Sequence, residues 1–116
     1  GTPTIVPTAF ATHALIESYN VFKDEKHLET AKQICEFIVT DLNRIGETKE
    51  EICFSYTPID RSVIFNASLL AGECLANVGA ITKNILYLNL AQKTAKFVIN
   101  RQRKDGAWVY GEKSFQ

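Results

Sequence analysis

The stretch "HLETAKQICEFIVTD", residues 27–41, returns in altered form as "YLNLAQKTAKFVINR", residues 87–101, at an offset of 60. The identical pairs at this offset are Leu28 with Leu88, Ala31 with Ala91, and Phe37 with Phe97. In both stretches the apolar residues recur at spacings of three and four, which is the period of a helix with one buried face. Because such self-similarity indicates stacked structural units, the sequence predicts a repeated helical element.

A second pair of similar stretches lies ahead of these two. "TPTIVPTAFATHAL", residues 2–15, aligns with "TPIDRSVIFNASLL", residues 57–70, at an offset of 55, and four of the fourteen positions are identical. The change of offset from 55 to 60 predicts an insertion between the two helices of the second unit. Each unit is therefore predicted to be a helical hairpin, with a first (inner) and a second (outer) helix.

The first helices are expected over roughly residues 8–22 and 62–78. Both are apolar nearly all round, so we expect them to be buried between neighbours, whereas the second helices carry one apolar stripe. Asp24 and Thr82 are the expected N-caps of the second helices, and Gly79 is a residue at which a helix can stop. The predicted fold class is all-α, with two helical hairpins, four main helices and short extended segments in the loops.

The composition excludes two classes of partner. The chain has 116 residues, and its 46% hydrophobic and 22% charged content is that of a core-forming single domain. Thirteen basic and thirteen acidic residues cancel, so no global field recruits nucleic acid or an anionic membrane surface. The most apolar run, residues 62–81, contains Asn66, Glu73 and Asn77, which are costly in hydrocarbon. Neither a nucleic acid nor a membrane partner is predicted.

The cysteines and the missing methionine suggest a setting for the chain. Cys35, Cys53 and Cys74 are odd in number and widely spaced, which fits neither a disulfide framework nor a CxxC metal pair, so a reducing cytoplasm is expected. Methionine is absent, including at position 1, and we expect a single-domain fragment of a longer protein. Its hairpin repeats are expected at about residues 1–52 and 53–116.

The end of the second repeat contains a spaced motif. In "KTAKFVINRQRKDGAW", residues 93–108, Gln102 is followed after three residues by Gly106 and after one more by Trp108. The pattern resembles the QW motif of terpenoid cyclases, although Thr94 stands where that motif has Gly and Val98 where it has Leu. In that family the motif is structural and ties one hairpin to the next. The resemblance therefore implies a structural role for Gln102, Gly106 and Trp108.

The resemblance also implies an architecture. Terpenoid cyclases and protein prenyltransferases are α/α toroids of inner and outer helices, and many carbohydrate-active enzymes form closely similar barrels. We therefore expect this chain to supply two of about six hairpins of a bacterial-type α/α toroid. The acidic cyclase motif DxDD is absent from the sequence, so the resemblance carries the fold and not the cyclisation chemistry.

Function in such toroids lies at one mouth, on loops that lead from an outer helix into the next inner helix. Here that loop covers residues 53–62 and contains the aromatic side chain of Tyr56; Trp108 and Tyr110 begin the next one. Aromatic rings stack on the apolar faces of sugars while hydroxyls seek polar partners, so Tyr56, Arg61, Trp108 and Tyr110 are predicted to bind a saccharide. In the alternative interpretation, Phe54 and Trp108 fill the space between hairpins and bind no ligand.

Carboxylates supply the candidate chemistry. Asp60 is placed to act as a general acid or base near the mouth, or as a capping residue that accepts backbone N–H bonds; both interpretations stay open. Glu17 and Glu73 lie on the inner helices, where they are predicted to face a central cavity. A second carboxylate is what glycoside chemistry requires.

No cofactor or metal is predicted. The sequence contains no P-loop, no GxGxxG and no GxSxG motif. His13 lies four residues before Glu17, which places both on one helix face, but a third metal ligand is missing.

Whether the parent protein is an enzyme stays open, and three functions are considered. The first is a carbohydrate-related enzyme or saccharide-binding module, for which Tyr56 and Trp108 should be exposed beside Asp60. The second is a structural or protein-interaction repeat, in which those rings are buried. The third is an isoprenoid-binding toroid with a deep apolar cavity. We also expect self-association through the inner-helix surface that two hairpins leave uncovered.

Overall fold

The computed structural model describes residues 4–105 and 111–112, and within them the chain forms four α-helices and four two-residue strands. The elements are α1 (Ile5–Phe22), α2 (Glu25–Asp41), β1 (Arg44–Ile45), β2 (Cys53–Phe54), β3 (Val63–Ile64), α3 (Phe65–Thr82), α4 (Ile85–Asp105) and β4 (Gly111–Glu112). Helices α1 and α2 form the first hairpin, and α3 and α4 form the second. This confirms the predicted mainly helical fold of two hairpins with short extended segments.

Both hairpins turn in the same way after their first helix. Lys23 and Lys83 adopt left-handed backbone conformations, with φ of 56° and 57°. The N–H of Lys23 donates to the carbonyl of Tyr19, and that of Lys83 donates to the carbonyl of Gly79. This bond satisfies a carbonyl that the helix end would otherwise leave unpaired, so each first helix ends at a defined residue.

The second helices begin on side-chain caps. The Oδ1 atom of Asp24 accepts a hydrogen bond from the backbone N–H of Lys26 at 2.9 Å, as the predicted N-cap requires. In the second hairpin Asn84 takes this position, because its Oδ1 accepts from the N–H of Tyr87 at 3.1 Å. The expected N-cap Thr82 is wrong: it is the last residue of α3, and its hydroxyl donates to the carbonyl of Val78.

The two hairpins correspond at one offset. Helices α1 and α3 have 18 residues each, begin at Ile5 and Phe65, and are followed by the equivalent residues Lys23 and Lys83. The offset is therefore 60 in the first helices as well, and the insertion expected between the helices of the second unit is wrong. Of the four identities that suggested 55, the Thr-Pro pair lies ahead of both first helices. The other two, Phe10 with Phe65 and Leu15 with Leu70, join positions that differ by five residues between the two helices, so they do not report helix register.

The first helices also differ from their expected bounds. Helix α1 begins before residue 8, whereas α3 begins after residue 62 and continues beyond residue 78. Gly79 does not stop α3 but lies inside it, against the second helix of its hairpin. A Cβ atom at Gly79 would lie 3.1 Å from the Cβ of Tyr87, so this glycine lets α4 approach closely.

Helix α3 is the centre of the molecule. It packs against α1, α2 and α4, and it is buried on most of its surface, as predicted for an inner helix. Helix α1 does not meet that expectation, because no described element covers the side of this helix that faces away from the core: Ala11 and Ala14 are exposed, and Phe10 is 70% exposed. The difference follows from position, since the first hairpin lies beside α3, whereas no described hairpin lies on the corresponding side of α1.

Short strands connect the hairpins. Strands β1 and β2 pair antiparallel, with Arg44 opposite Phe54, and β3 and β4 pair antiparallel, with Val63 opposite Glu112. The segment between β2 and β3 passes from the end of the first hairpin to the start of α3. Across the described ranges, none of the helices combines the length and apolarity that a membrane span needs.

We expect Gly72→Ala to destabilise the protein. A Cβ at this position would lie 2.1 Å from Oγ1 of Thr94, which is buried and donates to the carbonyl of Ala91. Overpacking typically costs about 1–3 kcal/mol, and the better helix propensity of Ala returns about 1 kcal/mol. Urea denaturation should therefore show a net loss of up to about 2 kcal/mol. Adding Thr94→Ala should recover part of the loss; equal destabilisation in the single and double variants would contradict the clash.

Candidate functional site

The predicted mouth loop, residues 53–62, is held by hydrogen bonds to the end of the first hairpin. The Asn43 side-chain amide donates to the carbonyls of Pro58 at 3.0 Å and Asp60 at 2.6 Å. The Ser55 hydroxyl donates to the carbonyl of Thr57 at 2.6 Å. The polar groups of this loop thus satisfy one another, which fixes its course.

Asp60 closes the same loop. Its Oδ1 accepts from the Thr57 hydroxyl at 2.8 Å, and its Oδ2 accepts from the Ser62 N–H at 3.0 Å. Burial raises the pKa of Asp60, but the hydrogen bonds from Thr57, Ser62 and Tyr56 outweigh it, so the pKa lies below its ordinary value. A general acid at neutral pH needs the opposite shift. This geometry favours the capping interpretation. Asp60 caps a turn of the loop, however, and not the start of α3.

The aromatic residues of the loop pack inward. Phe54 is fully buried in the core, and Tyr56 is half-buried against the same core. The carbonyl of Tyr56 accepts a hydrogen bond from the N–H of Ile5 at 3.2 Å, which joins the loop to the start of α1. Arg61 is exposed. The alternative in which Phe54 fills the space between the hairpins therefore fits the structure.

The predicted structural motif is described only in part. Gln102 is half-buried within α4, which continues to Asp105. Gly106, Trp108 and Tyr110 lie outside the described residues, so their predicted roles stay predictions.

A groove runs between the inner helices α1 and α3. Its volume is about 230 Å³. Its lining residues, which define the inner groove, are Ala9, Phe10, Thr12, His13, Leu70, Glu73, Cys74 and Asn77. Phe10 and Leu70 supply apolar walls, while His13, Glu73 and Asn77 supply polar groups. The groove therefore combines an aromatic face with hydrogen-bonding side chains.

The repeat explains why these residues meet. At the offset of 60, Phe10 corresponds to Leu70 and His13 to Glu73, so the same face of both inner helices lines the groove. The predicted ligand residue Glu73 lies in it. Glu17 follows His13 by one turn on the same face of α1, exposed and beyond the lining residues.

Sequence reasoning missed Phe10 and Asn77 as candidate ligand residues. An alignment of the first helices at offset 60, rather than 55, would have paired Phe10 with Leu70 and Glu17 with Asn77. Exposure of the Phe10 ring was not visible in the pattern, because an inner helix was expected to be covered.

The described residues of the groove are poorly suited to metal binding and to thiol chemistry. In the described part of the chain, no group of three or more His, Cys, Asp and Glu side chains is arranged to hold a metal ion. Burial raises the pKa of the Cys74 thiol to about 11, so this thiol is protonated at neutral pH and is a poor nucleophile. The groove is therefore suited to binding rather than to covalent chemistry.

A second cleft, of about 380 Å³, lies between the loop after β1 and helix α4. Its cations face carboxylates: Lys93 lies 3.6 Å from Glu47, and Lys96 lies 3.2 Å from Glu50. Arg44 lies 3.0 Å from the same Glu47 carboxylate. Because these charges largely neutralise one another, the cleft presents a weaker field to an anion than its lysines alone would.

Comparison of the chain with family models, with curated proteins and with solved structures finds no match. The resemblance to α/α toroids therefore stays a prediction that rests on the repeat and on the spacing around Gln102.

We expect Asp60→Asn to lower stability at neutral pH by about 1–3 kcal/mol, because hydrogen bonds to a charged acceptor are lost or weakened. Since the folded-state pKa is lowered, this contribution is present above the unfolded value of about 4 and is lost as pH falls further. The free energies of unfolding of the two proteins should therefore begin to converge below about pH 4 and become similar once the pH falls below the lowered folded-state pKa of Asp60.

Asp41→Asn is the matched control, since Asp41 is exposed in the last turn of α2. Its effect should stay within about 0.5 kcal/mol. A difference between the Asp60 variant and the parent that is constant with pH would contradict the assigned role of the carboxylate.

Proposed function

We propose that this chain is a saccharide-binding module that holds its ligand in the inner groove. The observation that carries the proposal is the juxtaposition of an exposed Phe10 ring with the Glu73 carboxylate and the Asn77 amide around one groove. The site thus lies on the inner helices rather than on the loop of residues 53–62, whose side chains are largely engaged within the fold.

The chemistry of a sugar fits this set of side chains. A pyranose has apolar C–H faces and hydroxyls around its edge, so one aromatic ring and a few convergent polar groups can recognise it. Carboxylate and amide oxygens accept hydrogen bonds from hydroxyls, and the amide also donates. Drug-sized pockets measure about 300–1,000 Å³, so a groove of about 230 Å³ suits one sugar ring or a chain end.

Binding is favoured over hydrolysis. Glycoside hydrolysis uses two carboxyl groups that flank the scissile bond. Among the described residues that line the groove, Glu73 is the one carboxylate, and Asp60 is engaged by Thr57 and Ser62 in the loop. An isoprenoid ligand would match the mostly apolar surface of the groove, but it would leave the polar groups of Glu73 and Asn77 without partners.

A protein-interaction repeat is the second candidate. It is favoured by the inward packing of Phe54 and Tyr56 and by apolar side chains that α1 exposes, with Val21 69% and Phe22 76% exposed. In that case peptides rather than sugars should perturb the groove.

We expect saturable binding of at least one monosaccharide or oligosaccharide from a panel, measured by amide chemical shifts of the isotope-labelled protein. The shifts should concentrate on α1 and α3 around the inner groove. Phe10→Ala and Glu73→Gln should each raise Kd about tenfold, which corresponds to about 1.4 kcal/mol. Phe22→Ala is the matched control: it removes an equally exposed ring from the same helix and should leave Kd within about twofold.

Either of two results would refute the proposal. The first is the absence of saturable shifts at the groove for every sugar tested. The second is a loss of affinity for Phe22→Ala as large as that for Phe10→Ala, since it would place the ligand elsewhere on α1.

A further inference from the structure

Equivalent positions of α1 and α3 differ in burial in a systematic way. On one side of α1, Pro7, Ala11, Ala14 and Val21 are all exposed, whereas Ser18 on the same side is half-buried and hydrogen-bonded to His27. We call the four exposed residues the leading face. Their equivalents on α3 at the offset of 60 are Ala67, Ala71, Cys74 and Ile81. The first three are buried, and Ile81 is half-buried against the core.

The first hairpin is what covers this side of α3. The Cys35 thiol of α2 donates to the carbonyl of Cys74 at 3.6 Å, and Thr12 of α1 lies beside Cys74 at the groove between α1 and α3. The leading face is thus the surface on which a preceding hairpin would pack if the step from the first to the second hairpin were repeated.

The second hairpin shows the complementary difference. In the first hairpin Ala9, Ile16, Leu28, Ala31 and Cys35 are buried. Their equivalents Leu69, Ala76, Leu88, Ala91 and Ala95 are all half-buried. We call these five residues the trailing face. It is apolar, and it corresponds to the part of the first hairpin that packs toward α3.

We propose that a second copy of this chain docks its trailing face on the leading face, so that copies associate head to tail. The new interface would repeat the packing that already joins the two hairpins within one chain. Both matching surfaces belong to the same molecule, and among the described residues no further element completes their burial, which is the arrangement of a heterologous self-association. The leading face lies opposite the core side of α1 and beside the inner groove. The proposal rests on the burial of equivalent residues and does not require that a saccharide binds.

Sedimentation velocity tests the association. The weight-average mass of the unmodified chain should rise with concentration between about 10 μM and about 1 mM, as expected for a modest interface. Ala14→Arg on the leading face and Ala95→Arg on the trailing face should each raise the association Kd at least tenfold. Asn20→Arg adds the same charge to an exposed site of α1 outside both faces, and it should leave Kd within about twofold.

Mixing the two arginine variants is the decisive step. In a head-to-tail interface each variant retains one intact face, so an equimolar mixture should form a dimer although neither variant associates alone. An isologous interface would not be rescued by mixing, and that result would overturn the proposal. An unmodified chain that stays monomeric over the whole concentration range would also overturn the proposal.

The variants must be shown to fold, because Ala95 is half-buried and an arginine there could disturb the fold. Circular dichroism should match the parent, and Ala76→Arg, on α3, supplies a second trailing-face variant. If either trailing-face variant folds and still associates like the parent, the assigned surface is wrong.

Discussion

The close packing of α3 against three other helices is the constraint on which this structure depends. On one side Gly72 and Gly79 present no side chain, so α4 lies directly on the α3 backbone. On the other side the Cys74 carbonyl accepts a hydrogen bond from the thiol of Cys35, and the apolar residues of the first hairpin cover the helix. Because α3 positions both the first hairpin and α4, the wall of the inner groove and the relation between the hairpins are fixed together. A change in α3 therefore affects stability and the site at once.

Polar groups in the connecting loop serve the fold rather than a ligand. Asn43, Ser55, Thr57 and Asp60 bond to one another or to the loop backbone, and no buried side-chain polar atom in the described part of the chain is left without a partner. Such a loop is preorganised, but it has few groups to offer a substrate. The inner groove differs, since the Glu73 carboxylate there is exposed to solvent. This contrast moves the candidate site from the loop to the helices.

The sequence predicted the parts of the fold that depend on local spacing. Helical hairpins, the Asp24 cap and the apolar stripe of α2 follow from periodicity and capping chemistry, and all are present. The register of the first helices did not follow, because the Thr-Pro pair lies outside them and the identities Phe10/Phe65 and Leu15/Leu70 join non-equivalent helix positions. The inward packing of Phe54 and the bare outer side of α1 depend on which elements meet in three dimensions, and no local pattern encodes that. Of the groove residues on which the proposal rests, Glu73 was among the predicted ligand residues, whereas Phe10 was expected in the interior.

The three cysteines lie on three different elements, α2, β2 and α3, and all are buried. Burial raises the pKa of Cys35 to about 12, which keeps this thiol unreactive while the fold is closed. A thiol reagent in solution would therefore react only with molecules that have opened. Since each cysteine reports on its own element, relative labelling rates would distinguish local fraying from complete unfolding. The chain thus contains its own set of probes for its dynamics, with no residue introduced.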